Sequence, residues 1–170
     1  MRRSPDNILL RLASKDEQQI HEIFDKLEAA GFPRQKQTPH ITITLSPAMP
    51  EAVVQCAQRL LPAVIPAKLQ RVGTVIFGTK SKQTVAWLLE TNDALHEVAR
   101  VISTHNPDGR GAQWVPHLTM GLRLPRDIVP AYLHALDQAT SPHFKKLTAQ
   151  QAMWWQPRAG EHLSLAGSET

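Results

Sequence analysis

The sequence of 170 residues predicts an α+β fold made of two similar lobes, which are related by pseudo-twofold symmetry and face a central cleft. One observation behind this prediction is a repeated motif, PHIT at residues 39–42 and PHLT at residues 116–119. Another is that the two histidines are 77 residues apart (117 − 40 = 77), and that this offset superposes other features of the two halves. We therefore expect a duplicated unit, in which each lobe is an antiparallel-rich sheet with helices on its outer face.

The first half is predicted to form strand, helix, strand, helix and strand. An apolar run at residues 8–12 predicts the opening strand, and Ser14 followed by Glu17 is the capping-box signature of a helix start. Gly31 ends that helix, whose apolar stripe consists of Ile20, Ile23, Phe24 and Leu27. The PHIT strand follows, and after it we expect a helix at residues 51–61 and a strand at residues 68–77.

The second half repeats this order. Residues 84–91 lie over residues 7–14 at the offset of 77 and predict a strand that ends in Thr91, a residue able to cap the next helix. The PHLT strand comes after that helix, and the remaining predicted elements are a helix at residues 126–139 and strands at residues 147–155 and 161–167. We assign the two lobes, residues 1–78 and 79–170, to one domain of residues 1–170, with the exchange of strands between them left open. We expect this domain to be a monomer.

The repeated motif places an imidazole and a hydroxyl on the same face of a strand. Because side chains alternate between the two faces, one face of the first copy receives His40, Thr42 and Thr44, and the opposite face Ile41, Ile43 and Leu45. In the second copy, alternation gives one face His117, Thr119, Gly121 and Arg123. If the lobes face each other, the two polar faces meet in the cleft.

Two imidazoles and two hydroxyls in one cleft suit chemistry at phosphorus. Near neutral pH one imidazole can act as a base while the other acts as an acid, and hydroxyl groups can hold phosphoryl oxygens. A third Pro-His pair, at His143, has no threonine two residues later, and of the eight histidines only His40 and His117 are superposed by the offset. The motif is therefore predicted to be functional.

These motifs resemble those of the two-histidine (2H) phosphoesterase superfamily, and within it the 2′-5′ RNA ligase-like and cyclic phosphodiesterase proteins. The resemblance rests on the tandem H-x-T-x motifs at residues 40–43 and 117–120, and extends to QWVPHLTMGLR and the closing MWWQPRAGEHLSLAG. It implies a metal-independent cyclic phosphodiesterase without a cofactor, which opens the 2′,3′-cyclic phosphate of RNA or of a small cyclic nucleotide and leaves a 2′-phosphate. It also implies that His40 and His117 are the acid-base pair and that Thr42 and Thr119 hold the phosphate.

Further substrate contacts are predicted at three positions. Family members often carry an arginine five residues after the second histidine; here that position is Leu122, and Arg123 follows it. We assign Arg123 to phosphate binding. Trp87 and Trp114 are candidates for stacking on a nucleobase, with packing in the core as the alternative for each.

Other functional classes make different predictions. A metal hydrolase needs clustered carboxylates or histidines, and neither copy of the motif has an acidic residue within it or next to it. Ligation of RNA through a 2′-5′ linkage is the alternative within enzymes. A non-catalytic module that binds RNA or nucleotides is the alternative outside them, but it would not require both motifs.

The composition of the chain indicates the kind of partner and the location of the protein. The net charge of +4 is compatible with an anionic partner such as RNA. No apolar run is long enough for a signal peptide or a membrane span, and the single cysteine, Cys56, cannot form an internal disulfide. We therefore expect a cytoplasmic protein without membrane contact.

Overall fold

The computed structural model describes residues 4–168. This part of the chain forms seven strands and four α-helices, with short 3₁₀ turns after α2 and before α4. The elements are β1 (Asp6–Leu12), α1 (Ser14–Ala29), β2 (His40–Ser46), α2 (Glu51–Leu60), β3 (Ala67–Phe77), β4 (Lys82–Thr91), α3 (Asp93–His105), β5 (His117–Pro125), α4 (Val129–Ala139), β6 (Lys146–Gln156) and β7 (Glu161–Gly167).

The strands form one antiparallel sheet in the order β2-β1-β6-β3-β4-β5, with β7 paired to β6. The α+β prediction is therefore confirmed. The last strand of each half pairs with the first strand of the other half, β3 with β4 and β6 with β1. The halves are interwoven in this way. Exchanging each strand of the first half with its equivalent in the second half gives the same sheet order, read from the opposite edge.

The predicted repeat is also present in the pairing register. Arg11 lies opposite His40 on β2, and Leu88, 77 residues further on, lies opposite His117 on β5. The register of β1 with β2 shifts between Ile8 and Leu9, and that of β4 with β5 shifts between Val85 and Ala86, again 77 residues later. Each histidine therefore starts its strand at the same place in its half.

The helices cover the apolar face of the sheet. The predicted stripe of α1 is buried, and the helix ends in a Schellman turn: Gly31 has a φ of 93° and donates to Glu28 O, while Phe32 N donates to Leu27 O at 3.1 Å. The cap predicted for α3 is wrong by one residue. Asn92 Oδ1 accepts from Leu95 N at 2.8 Å, because Thr91 still belongs to β4 and its hydroxyl donates to Lys68 O.

Within residues 4–168, none of the helices has both the length and the apolar character needed to cross a membrane.

Candidate functional site

The two motif histidines are the first residues of β2 and β5, and both are half-buried. His40 Nδ1 lies 2.7 Å from Thr38 O, and His117 Nδ1 lies 2.7 Å from Val115 O. A carbonyl oxygen can only accept, so Nδ1 carries the proton in both rings. Nε2 is then the nitrogen that accepts or donates the second proton, and both rings are fixed in the same tautomer by equivalent backbone contacts.

The pKa of His40 lies below the ordinary value for histidine. Burial of the ring is the largest cause; the hydrogen bond to Thr38 O opposes it, and the charges of Arg11 and His117 lower the pKa further. Near pH 7, His40 is therefore held in its neutral form.

A cleft of about 190 Å³ is lined by residues of both halves. The first motif contributes Thr42 and the second contributes His117, and the loop before β5 forms much of the remaining wall. Thr119 is half-buried two residues after His117, and no register shift separates the two residues, so they share a face of β5. The structure thus brings Thr42 and His117 together in one cleft, whereas His40 and Thr119 are not among its lining residues.

Asn7 contributes to this arrangement and was missed by the sequence analysis. Its side chain is buried, with an exposed fraction of 6%, and Nδ2 donates to Thr42 Oγ1 at 3.0 Å. Since the Thr42 oxygen accepts this bond, its own proton remains available for a group in the cleft. The other amide atom, Asn7 Oδ1, is buried without a hydrogen-bond partner among the described residues. The available signal was an amide next to the apolar run of residues 8–10 in β1.

The predicted faces of the motif strands are wrong beyond the first threonine. Thr44 is buried with 5% exposure and Leu45 is 44% exposed, the reverse of the prediction. In β5, Gly121 packs against Tyr132 on the core side, and Leu122 is 49% exposed. The reason is the register shift in each strand, because an extra residue turns every later side chain to the opposite face.

Arg123 is not placed by alternation either. The register of β4 with β5 shifts a second time, between the pairs Val85–Gly121 and Gln83–Leu124. Arg123 lies within this second shift and adopts a φ of 48°, in the left-handed region. Its backbone N donates to Thr84 Oγ1 at 3.1 Å. The side chain is exposed and lines a separate hollow beside the β3–β4 turn, rather than the cleft that contains Thr42.

The two candidate tryptophans have different surroundings. Trp114 lines the cleft with 8% of its surface exposed, and its Nε1 donates to Thr42 O at 3.0 Å. Trp87 is 1% exposed and packs edge-on against Phe144, with its ring centre 4.7 Å from the Arg71 guanidinium carbon. Its assignment to nucleobase stacking is wrong: Trp87 lies opposite the buried Leu118 and shares the core face of the sheet.

Each loop that precedes a motif strand crosses to the motif strand of the other half. Asn106 Nδ2, in the loop before β5, donates to Thr44 Oγ1 at 2.7 Å and to Leu45 O at 2.9 Å. In the loop before β2, Gln35 Oε1 accepts from Leu122 N at 2.8 Å. These contacts hold β2 and β5, the end strands of the sheet order, beside one another at the cleft.

Residues 4–168 contain no group of three or more histidine, cysteine or acidic side chains arranged to hold a metal ion. Metal independence remains a prediction.

Comparison with known proteins establishes the fold. No family model matches the sequence, and no curated protein matches it. A structure of Kluyveromyces marxianus Usb1 is similar with a TM-score of 0.53 at 11% identity, and covers 96% of this chain and 98% of its own. The same protein with uridine monophosphate gives a TM-score of 0.53 at 13% identity, with 95% and 97% coverage. The likeness thus extends over nearly the whole chain, and at these identities it concerns the fold.

Proposed function

We propose that this protein is a metal-independent phosphodiesterase that opens 2′,3′-cyclic phosphates on RNA or on small cyclic nucleotides and leaves a 2′-phosphate. The observation that carries the proposal is the pair of His-x-Thr motifs at equivalent register positions of β2 and β5, with Thr42 of one motif and His117 of the other lining the same cleft. The resemblance to 2H phosphoesterases supplies the reaction class. The uridine monophosphate in one structure of similar fold fits a nucleotide substrate.

The roles of the two histidines follow from their environments. His40, held neutral by its lowered pKa, takes a proton from the attacking water through Nε2. The water oxygen bonds to phosphorus while the bond from phosphorus to the ribose 3′-oxygen breaks, and His117 gives that oxygen a proton. Proton uptake at one ring and release at the other balance, and the phosphate stays on the 2′-oxygen.

The two threonines hold the phosphate during this displacement. Thr42 is oriented for this role by Asn7, which occupies its acceptor side and leaves its proton for a phosphoryl oxygen. Thr119 occupies the equivalent position beside His117. Trp114 forms a wall of the same cleft and remains the candidate contact for the nucleobase. We also propose that residues 1–170 act as a single monomeric domain; residues 1–3 and 169–170 of that prediction lie outside the described part.

A substrate panel tests the proposal. Purified protein is incubated with 2′,3′-cyclic mononucleotides, with RNA ending in a cyclic phosphate, and with EDTA in every reaction; the products are identified by phosphorus NMR. We expect turnover in EDTA and a 2′-phosphate product. Activity that disappears in EDTA and returns with a divalent ion contradicts metal independence, and a 3′-phosphate product contradicts the assigned bond cleavage. Binding of these ligands without turnover identifies a binding module, and joining of RNA ends identifies a ligase.

A further inference from the structure

A basic hollow lies beside the proposed site. We use this name for the space of about 470 Å³ that is lined by residues 77–82, Thr84 and Arg123. Three of these residues, Lys80, Lys82 and Arg123, are cationic and exposed, and none is acidic. Among residues 4–168, no ion pair is formed by any of the three cations. The hollow is therefore a concentration of positive charge that the protein's own carboxylates do not neutralise.

The backbone that carries these cations is held in place. Arg126 N donates to Ser81 O at 2.9 Å, and the Arg126 side chain donates to Thr79 O at 3.3 Å. Gly78 has a φ of 104°, and a Cβ there would lie 2.7 Å from Lys82 O, so the turn requires glycine. Arg123 is the one non-glycine residue with positive φ among residues 4–168. Such a conformation costs about 1–3 kcal/mol, and residues that adopt it cluster at active sites and ligand-binding positions.

One side chain links the hollow to the proposed acid. Phe77 is half-buried and lines the hollow, and its ring centre is 4.7 Å from that of His117, at an angle of 53°. A phosphate in the hollow would therefore lie on the His117 side of the reacting group. His117 also lines the cleft that contains Thr42, so the same imidazole borders the cleft and contacts a side chain of the hollow.

The hollow breaks the symmetry of the two halves. Arg123 belongs to the second register shift of β5, whereas β1 pairs with the corresponding part of β2, up to Ser46, without a second shift. In the first half, the position that corresponds to Arg123 is Ser46 (123 − 77 = 46), and its hydroxyl donates to the carboxylate of Asp108 at 2.7 Å. Arg123 thus has no cationic counterpart at the equivalent position of the first half.

We propose that the basic hollow is a subsite for backbone phosphates of single-stranded RNA whose cyclic-phosphate end reacts at the two histidines. This inference rests on the proposed function and makes it more specific, because a small cyclic nucleotide has no further phosphate to place there. Lysine and arginine side chains that neutralise phosphates give binding that weakens with salt. The substrate is then an oligonucleotide, bound at its reacting end by the cleft and along its backbone by the hollow.

The test compares an oligonucleotide with a mononucleotide. For wild-type protein, kcat/KM is measured on 2′,3′-cyclic UMP and on a short uridine-rich RNA with the same cyclic end, at several salt concentrations. We expect the RNA to be preferred at low salt. In the Lys80→Ala/Lys82→Ala variant that preference should fall roughly tenfold, and the slope of log(kcat/KM) against log[salt] for RNA should decrease by ~1.4, at ~0.7 for each lost contact on a single strand.

A matched control uses a second basic hollow remote in sequence from the motifs. Its charged lining residues are Lys15, Lys145, Lys146 and Asp16, and His143 also lines it; the Lys15→Ala/Lys145→Ala variant removes the same charge from the protein. This variant should keep the wild-type preference for RNA. A cooperative thermal unfolding transition in each variant serves as the check that the variant is folded. An equal loss in both variants indicates an effect of net charge and overturns the proposed subsite, as does a preference that survives Lys80→Ala/Lys82→Ala.

Binding measured without turnover separates this inference from the proposed function. Fluorescence anisotropy with a labelled RNA that ends in a 3′-phosphate reports affinity alone. If no cyclic phosphate is opened but Lys80→Ala/Lys82→Ala weakens RNA binding and the control does not, the subsite stands and the hydrolase proposal fails. If cyclic phosphates are opened but neither variant changes RNA affinity or preference, the hydrolase stands and the subsite fails.

Discussion

At the scale of single residues, the polar contacts of the motif decide which ring nitrogens and hydroxyl protons remain available. Backbone carbonyls two residues earlier hold the Nδ1 protons of both histidines, and Asn7 holds the acceptor side of Thr42. The equivalent register positions of the two motifs were predictable because the chain repeats them. Asn7 was not, because the residue at its place in the second half is Thr84, and no repeated letter marks the position.

Asn7→Asp tests the orientation of the Thr42 hydroxyl. A carboxylate accepts where the amide donated, so it draws the Thr42 proton away from the phosphate. We expect a loss of about tenfold in kcat/KM, the equivalent of ~1.4 kcal/mol, carried mainly by KM. In a Thr42→Val background the same change should cost little, because the hydroxyl through which it acts is gone. An equal cost in both backgrounds would show that Asn7 does not act through Thr42.

The lowered pKa of His40 predicts how stability depends on pH. Between pH 6.5 and the lower pKa of the folded state, the unfolded chain binds a proton that the folded chain does not, so the free energy of unfolding falls as pH falls through this range. One proton contributes a slope of at most ~1.4 kcal/mol per pH unit. Urea unfolding of wild type and His40→Gln from pH 7.5 to 5 should give a shallower decline for the variant. Parallel curves would contradict the lowered pKa.

At the scale of elements, the register shifts in β2 and β5 are the reason why the predicted faces of these strands differ from the structure. Periodicity was sufficient for the helices and for most strand boundaries, and residues 161–167 form β7 as expected. It was not sufficient for the faces of the motif strands, because alternation assumes an uninterrupted ladder. A bulge depends on the partner strand as well as on its own sequence, so the burial of Thr44 and Gly121 could not be derived from their positions.

Gly121→Ala tests the packing that the shifted register creates. A Cβ at this position would lie 2.6 Å from Tyr132 Cε1 and 2.7 Å from Leu124 Cδ1, in the core beneath α4. We expect a loss of ~1–3 kcal/mol in the free energy of unfolding, measured in urea. Gly73→Ala is the matched control, since Gly73 also lies in a strand and a Cβ there meets no atom within 4 Å. If both variants are equally stable, the contact with Tyr132 is not as described.

At the scale of the whole molecule, the duplication was predictable but the strand exchange was not. The sequence offset of 77 (117 − 40 = 77) indicates that the two halves have similar structures. The offset would be the same whether β3 paired within its own half or, as observed, with β4. The order of the sheet is decided by which apolar faces meet in three dimensions. The exchange has a functional consequence, because it joins the halves into one sheet and so fixes β2 relative to β5.

Each half supplies one of the two histidines, and the proposed displacement needs both, so loss of either one should remove most of the activity. His40→Ala removes the base and His117→Ala removes the acid, and neither group completes the displacement alone. Each single variant should lose ~10²–10⁴-fold in kcat on a cyclic-phosphate substrate, and the double variant should be little worse than either one. His143→Ala is the matched control, because His143 also follows a proline but lines the second basic hollow instead of the cleft. This variant should keep wild-type kcat.

The rate of the wild type against pH should be bell-shaped, since one imidazole must be neutral while the other is protonated. Near wild-type turnover in a folded single variant, or a double loss equal to the product of the single losses, would contradict the assignment of the two histidines to one concerted proton transfer.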